Sequence, residues 1–241
     1  MDYLIIAVVS FGAALLAFYS GFGLGSILMP AFAYFLPLPA AVALTALVHF
    51  LSKVFKLAFT LSYVDRSILI RFGLPSLPAA IGGAALLGHL GEREAKLSIA
   101  VLILAFVALE ILPPLRRWQV STKYLSFGGA LSGFFGGISG HQGALRTLFL
   151  KKTPLTKEGF IATTAAIACA VDGVRIPVYI SYLTPDFLAL HRAHLAIGAS
   201  GALLGTFAGK TWLPSVSREA MDRVIAAMLA VTAVLMMVGV I

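Results

Sequence analysis

A short glycine-rich phrase occurs twice in this chain, and each copy interrupts a stretch apolar enough to cross a bilayer. The first copy is Gly21-Phe-Gly23-Leu-Gly25-Ser26, closed by Pro30. The second is Gly136-Gly137-Ile-Ser139-Gly140-His141-Gln142-Gly143. A helix broken at membrane depth leaves backbone groups that lipid cannot satisfy, so such a break must face protein or a wet cavity. Two breaks in corresponding halves of a chain point to a transporter binding site.

The rest of the chain fits that setting. It is 60% hydrophobic and 12% charged, with a mean hydropathy of +0.98, far more apolar than a soluble domain. Eight apolar segments run over about 4–36, 40–63, 68–90, 95–113, 124–150, 158–183, 190–213 and 219–241. Everything between them is short, so residues 1–241 read as one membrane domain with the lipid bilayer as its surroundings. A net charge of +8 does not imply nucleic acid, because the basic residues sit in short loops and read as cytoplasmic flanks. One cysteine, Cys169, excludes an intrachain disulfide and a CxxC redox motif. The first apolar run lacks a basic leader and a small-residue cleavage site, and reads as a mature segment.

A linker of Pro113, Pro114, Arg116, Arg117 and Lys123 divides the chain into repeats of about 1–115 and 120–241. Gly21 aligns with Gly137 at an offset of 116, Lys53 falls opposite Asp172, and Lys56 opposite Arg175. Of the 18 lysines and arginines, four lie inside apolar segments and 14 flank them. If all eight segments cross fully, the flanking charges divide 6 against 8 and the positive-inside rule is silent. If segments one and five each turn back at their glycines, the division becomes 11 against 3. The expected fold is therefore an all-α polytopic membrane protein of two inverted repeats. Each repeat is a broken, re-entrant helical hairpin plus three transmembrane helices, and both termini face away from the cytoplasm.

Charges buried in such a bundle are costly, at least about 2.5 kcal/mol each at mid-bilayer, and mark pathways or pairs. His49, Lys53 and Lys56 share one helical face with Ser52, and Cys169, Asp172 and Arg175 share another. A Lys53–Asp172 ion pair that fixes helix packing is the structural alternative for those two residues. Lys56 has a stem long enough to reach the cytoplasmic interface. The second break adds His141, Gln142 and Arg146 at the start of a short helix, where free amides and a positive dipole suit an anion. Ser26 holds the matching place in the first half. The interior carries more positive than negative charge, which favours a small anionic substrate over a cation. The candidate binding residues are Gly23, Gly25, Ser26, His49, Lys53, Ser139, Gly140, His141, Gln142, Arg146, Asp172 and Arg175. Asp172 either holds Lys53 or Arg175 in place or carries a coupling proton. A rival is an intramembrane enzyme or metal protein using His49, His141 and Asp172. No standard zinc spacing supports it, and neither cofactor nor metal is expected.

At these residues the chain resembles the TauE/SafE sulfite exporter family, also called the 4-toluene sulfonate uptake permease family. Gly21-Phe-Gly23-Leu-Gly25-Ser26-Ile-Leu-Met-Pro30 is similar to the family's first glycine phrase. Ser132-Gly-Phe-Phe-Gly-Gly-Ile-Ser-Gly-His141-Gln142-Gly143-Ala-Leu-Arg146 is similar to the second in one subgroup, as are Leu44-Thr-Ala-Leu-Val-His49 and Phe55-Lys56-Leu-Ala. The chain departs from the pattern at His141-Gln142, where many members have glycine. It also departs at Arg146, where many have proline, and at Leu24 inside the first cluster. The resemblance implies transport of sulfur-containing anions such as sulfite or sulfonates across a bacterial inner membrane, by a multi-pass protein. A thiosulfate route through relayed cysteines is disfavoured with Cys169 alone. A homodimer is compatible with this build.

Overall fold

A computed structural model describes residues 2–18, 24–112, 120–212 and 218–239. They form helices and turns, with no strand among the described residues. The helices are α1 (Asp2–Leu16), α2 (Leu24–Ala33), α3 (Leu38–Thr60), α4 (Arg66–His89), α5 (Glu92–Ile111), α6 (Leu125–Ser139), α7 (Gly143–Leu150), α8 (Lys157–Ser181), α9 (Phe187–Leu190), α10 (Arg192–Trp212) and α11 (Arg218–Met237). Helices α3 (with the turn that extends it to Tyr63), α4 and α8 are long and apolar enough to cross a membrane. Both segments that carry the glycine phrases are broken into two helices, as expected. Gly21 and Gly23 of the first phrase lie outside the described residues.

The second phrase breaks later than its first glycines suggest. Helix α6 runs unbroken through Gly136 and Gly137 to Ser139 and stops at Gly140, whose φ is +76°. That left-handed conformation is costly for any residue with a Cβ. The N–H of Gly140 returns to the Gly136 carbonyl at 2.8 Å, closing the helix end. Gly137 serves packing instead: a Cβ there would lie 2.3 Å from the Ala80 carbonyl oxygen of α4.

Gly137 is the last of a row. On Gly129 and Gly133 a Cβ would lie 2.0 Å from the Phe72 carbonyl oxygen and 2.2 Å from that of Ser76. The three glycines recur every four residues and bring the α6 backbone onto α4, the small-residue contact used where both helices sit in lipid. Gly201, Gly205 and Gly209 of α10 do the same on α1, with a Cβ 2.7 Å, 2.1 Å and 2.9 Å from the carbonyls of Ala7, Phe11 and Leu15. Both pairs are parallel. Accordingly, Gly133→Leu is expected to lower the melting temperature sharply and to cost at least the roughly 1–3 kcal/mol of core overpacking. Gly12→Ala, with open space around it, should change little; thermal unfolding of the detergent-purified variants measures both.

Each break reverses the chain. The Phe149 ring near the end of α7 would be 2.3 Å from a Cβ on Gly128 near the start of α6. Phe32 near the end of α2 and Ile6 near the start of α1 both touch the space beside Gly198. Helices α3 and α8 pack antiparallel, with Phe50 beside Gly173 and the Tyr63 carbonyl beside Gly159. The neighbours correspond when the halves are exchanged. Helix α4 lies on α6 as α10 lies on α1, α8 lies on α4 as α3 lies on α10, and α5 lies on α11. The helix starts also correspond: 143 − 24 and 157 − 38 both give 119. At that spacing Ser26 falls opposite Leu145, whereas a spacing of 116 sets it opposite Gln142.

Candidate functional site

The polar faces of α3 and α8 meet in the middle of the bundle. Asp172 is fully buried, and both of its oxygens accept from neighbours. His49 approaches Oδ2 through Nδ1 at 2.5 Å. Arg175 reaches Oδ1 through Nε at 2.9 Å and Nη2 at 2.8 Å. Arg175 then donates through Nη1 to the Gly136 carbonyl at 2.6 Å and to the Tyr179 hydroxyl at 3.3 Å. Tyr179 in turn donates to the Gly137 carbonyl. These carbonyls end α6, where a cation is favoured by the helix dipole.

Lys56 performs the matching task in the first half. It is buried and donates to the Phe18 carbonyl at 3.0 Å and the Ala17 carbonyl at 3.4 Å, just past the end of α1. Its ammonium also sits 4.5 Å above the Phe18 ring, a cation–π contact. Moving Lys56 and Ala17 by 119 positions gives Arg175 and Gly136. A long stem free to reach an interface was the sequence-based alternative for Lys56; the stem instead runs to the end of the first hairpin limb.

Lys53 and Asp172 do not pair, because Arg175, one turn along the same helix, takes the carboxylate's free oxygen. Lys53 is buried and makes no hydrogen bond or ion pair with the described residues. Arg146 in α7 is buried, and its Nη1 has no partner among the described residues. The two cations feel each other's charge and that of Asp172. Nearby polar groups are also free. Among the described residues the Gln142 amide has neither its oxygen nor its nitrogen engaged, and the Thr45 hydroxyl and His141 Nε2 are buried without partners. His141 Nδ1 lies 2.5 Å from the Ser139 carbonyl, so it carries the hydrogen of that contact. Ser139 also accepts from the His141 amide through Oγ at 3.2 Å, which shapes the turn.

The start of α2 meets the second break here. A Cβ on Gly25, at the start of α2, would be 3.4 Å from Thr45 Cγ2, 3.9 Å from His49 Cδ2 and 4.0 Å from the Gly140 carbonyl oxygen. Ser26 is buried one residue on, its backbone beside the His141 ring. The structure therefore brings together Gly25, Ser26, His49, Lys53, Ser139, Gly140, His141, Gln142, Arg146, Asp172 and Arg175. Gly23 lies outside the described residues. Thr45, Lys56 and Tyr179 join this set without having been singled out as binding residues by the sequence. Tyr179 sits four residues after Arg175 on the same helical face, which is the one signal that could have found it.

Buried polar groups without partners are expensive. Among the described residues, no group of three His, Cys, Asp or Glu side chains is placed to hold a metal ion. Four buried cations stand against one buried carboxylate among the described residues. An all-helical bundle with helices fit to cross a membrane and an electropositive interior where helices break has the build of a polytopic membrane transporter. The chain matches the model of the family described as sulfite exporter TauE/SafE over residues 6–236 and belongs to that family. The family is one of transporters, not enzymes. No curated protein and no solved structure matches the chain.

Proposed function

We propose that the protein is a secondary transporter, an exporter or permease, of small sulfur-containing anions such as sulfite or organosulfonates. The anion is bound between the two helix breaks. One observation carries this reading: Lys53 and Arg146 are both buried within reach of each other's charge and neither forms an ion pair among the described residues, while the carboxylate whose charge also reaches them is already taken by Arg175 and His49. Gln142 and the free amides that open α7 donate to the same space, and Ser26 and Gly25 close it from the first half. Arg175 and Asp172 serve by holding the end of α6 in place. A thermal-shift panel of sulfite, methanesulfonate, thiosulfate, sulfate and acetate on the detergent-purified protein tests the reading. A ligand that binds only the folded form raises the melting temperature. A rise with the sulfur oxyanions but not with acetate is expected, and no rise with any of them defeats the assignment.

Two inverted repeats in the bacterial inner membrane are the architecture proposed with it. The exchange symmetry of helix neighbours, the common offset and the antiparallel α3–α8 pair support it. Helices α1 and α10 start at one end, where His194 Nε2 lies 3.4 Å from Asp2 Oδ2. The charge division of 11 against 3 then places the opposite end in the cytoplasm. A tag at either terminus is expected to be labelled from outside intact spheroplasts; labelling of both only after lysis would refute the topology.

A further inference from the structure

We infer that His49 is the seat of a proton that binds together with the anion and crosses with it. The inference rests on the anion site proposed above. Asp172 has no free oxygen to receive a proton, since Oδ1 accepts twice from Arg175 and Oδ2 faces His49 Nδ1. That contact fixes the hydrogen of neutral His49 on Nδ1 and leaves Nε2 as a bare acceptor. No hydrogen bond within the described residues engages Nε2. The Cδ2 edge next to it faces Gly25 at the opening of α2.

The groups that face His49 are Lys53 from its own helix, Asp172 and Arg175 from α8, and His141 from the second break. With the site empty, burial away from water opposes a positive charge on the ring, and Lys53 and Arg175 oppose it further. An anion seated against Lys53 and Arg146 offsets that opposition, and Asp172 at 2.5 Å then faces an imidazolium. By linkage the proton strengthens anion binding by the same factor. The balance is simple: Nε2 takes a proton from water on the loading side, and anion and proton leave together on the other. A monovalent anion thus crosses without net charge.

Calorimetry of methanesulfonate binding to the detergent-purified full chain, in two buffers of different ionisation enthalpy, counts the protons taken up. Methanesulfonate does not itself titrate near neutral pH, so each counted proton belongs to the protein. We expect about one proton per anion for the native chain and about none for His49→Gln. Binding without proton uptake in the native chain, or uptake unchanged in His49→Gln, overturns the inference and leaves the anion site standing. No methanesulfonate binding by the native chain brings down the anion site itself. If His49→Gln no longer binds, native proteoliposomes loaded with a pH dye decide. Acidification of the lumen in step with methanesulfonate entry supports the coupling, and entry without acidification overturns it.

Discussion

Arg146→Ala abolishes anion flux in proteoliposomes while leaving the protein as stable as before, or more so. The guanidinium contributes nothing to folding that the described contacts reveal: it is buried, carries an unpartnered Nη1 and lies near a second unpaired cation, Lys53. Removing a buried charge that has no partner relieves a desolvation cost. The same charge is worth about 1.5–3 kcal/mol when a charged ligand accepts its hydrogen bonds. That corresponds to a loss of roughly ten- to a hundredfold in affinity, and more in flux if transport also needs the site neutralised. Lys53→Met should behave alike. Radiotracer uptake and thermal unfolding, measured on the same preparations, check both halves of the expectation. Full flux in Arg146→Ala would remove it from the site, and a large fall in melting temperature would make it a structural residue.

Asp172→Ala gives the opposite pattern, with loss of the folded protein. Taking away the carboxylate leaves Arg175 and His49 facing each other in the interior with no negative charge between them. Breaking a buried ion pair by deleting one partner costs about 3–5 kcal/mol. Arg175 would still reach the Gly136 carbonyl, but with its position no longer fixed by two contacts to Oδ1. Asp172→Asn keeps the shape and an acceptor, and should lose less. Yield and melting temperature in detergent measure the series. An alanine variant as stable as the native chain would show that the triad does not hold the bundle together.

The contrast between these two residues marks how far the sequence could be read. The apolar segments, the two interruptions and the polar faces of α3 and α8 were legible, because lipid forces charge onto few faces and glycine clusters are conspicuous within them. The depth of the second break was not. Gly136 and Gly137 look like breakers on paper, yet Gly137 is needed because the α4 backbone lies against it, and close approach between distant segments leaves no local trace. Which cation Asp172 holds, Lys53 or Arg175, stayed open for a related reason. Aligning the halves sets Lys53 opposite Asp172, but an arginine three residues along α8 reaches the same carboxylate with less chain to order. Lys56 was ambiguous because an unbranched stem is equally suited to water and to a nearby carbonyl; the choice depends on where α1 ends.

The matched grips of Lys56 on Ala17 and Phe18 and of Arg175 on Gly136 constrain how such a machine could work. The end of each first limb is tethered sideways to a long helix by a charge buried away from water. A tip therefore cannot swing like a flap on its own. Opening toward either compartment would have to carry tip and pillar as one block, and any slip of α3 along α8 would have to part His49 from Asp172.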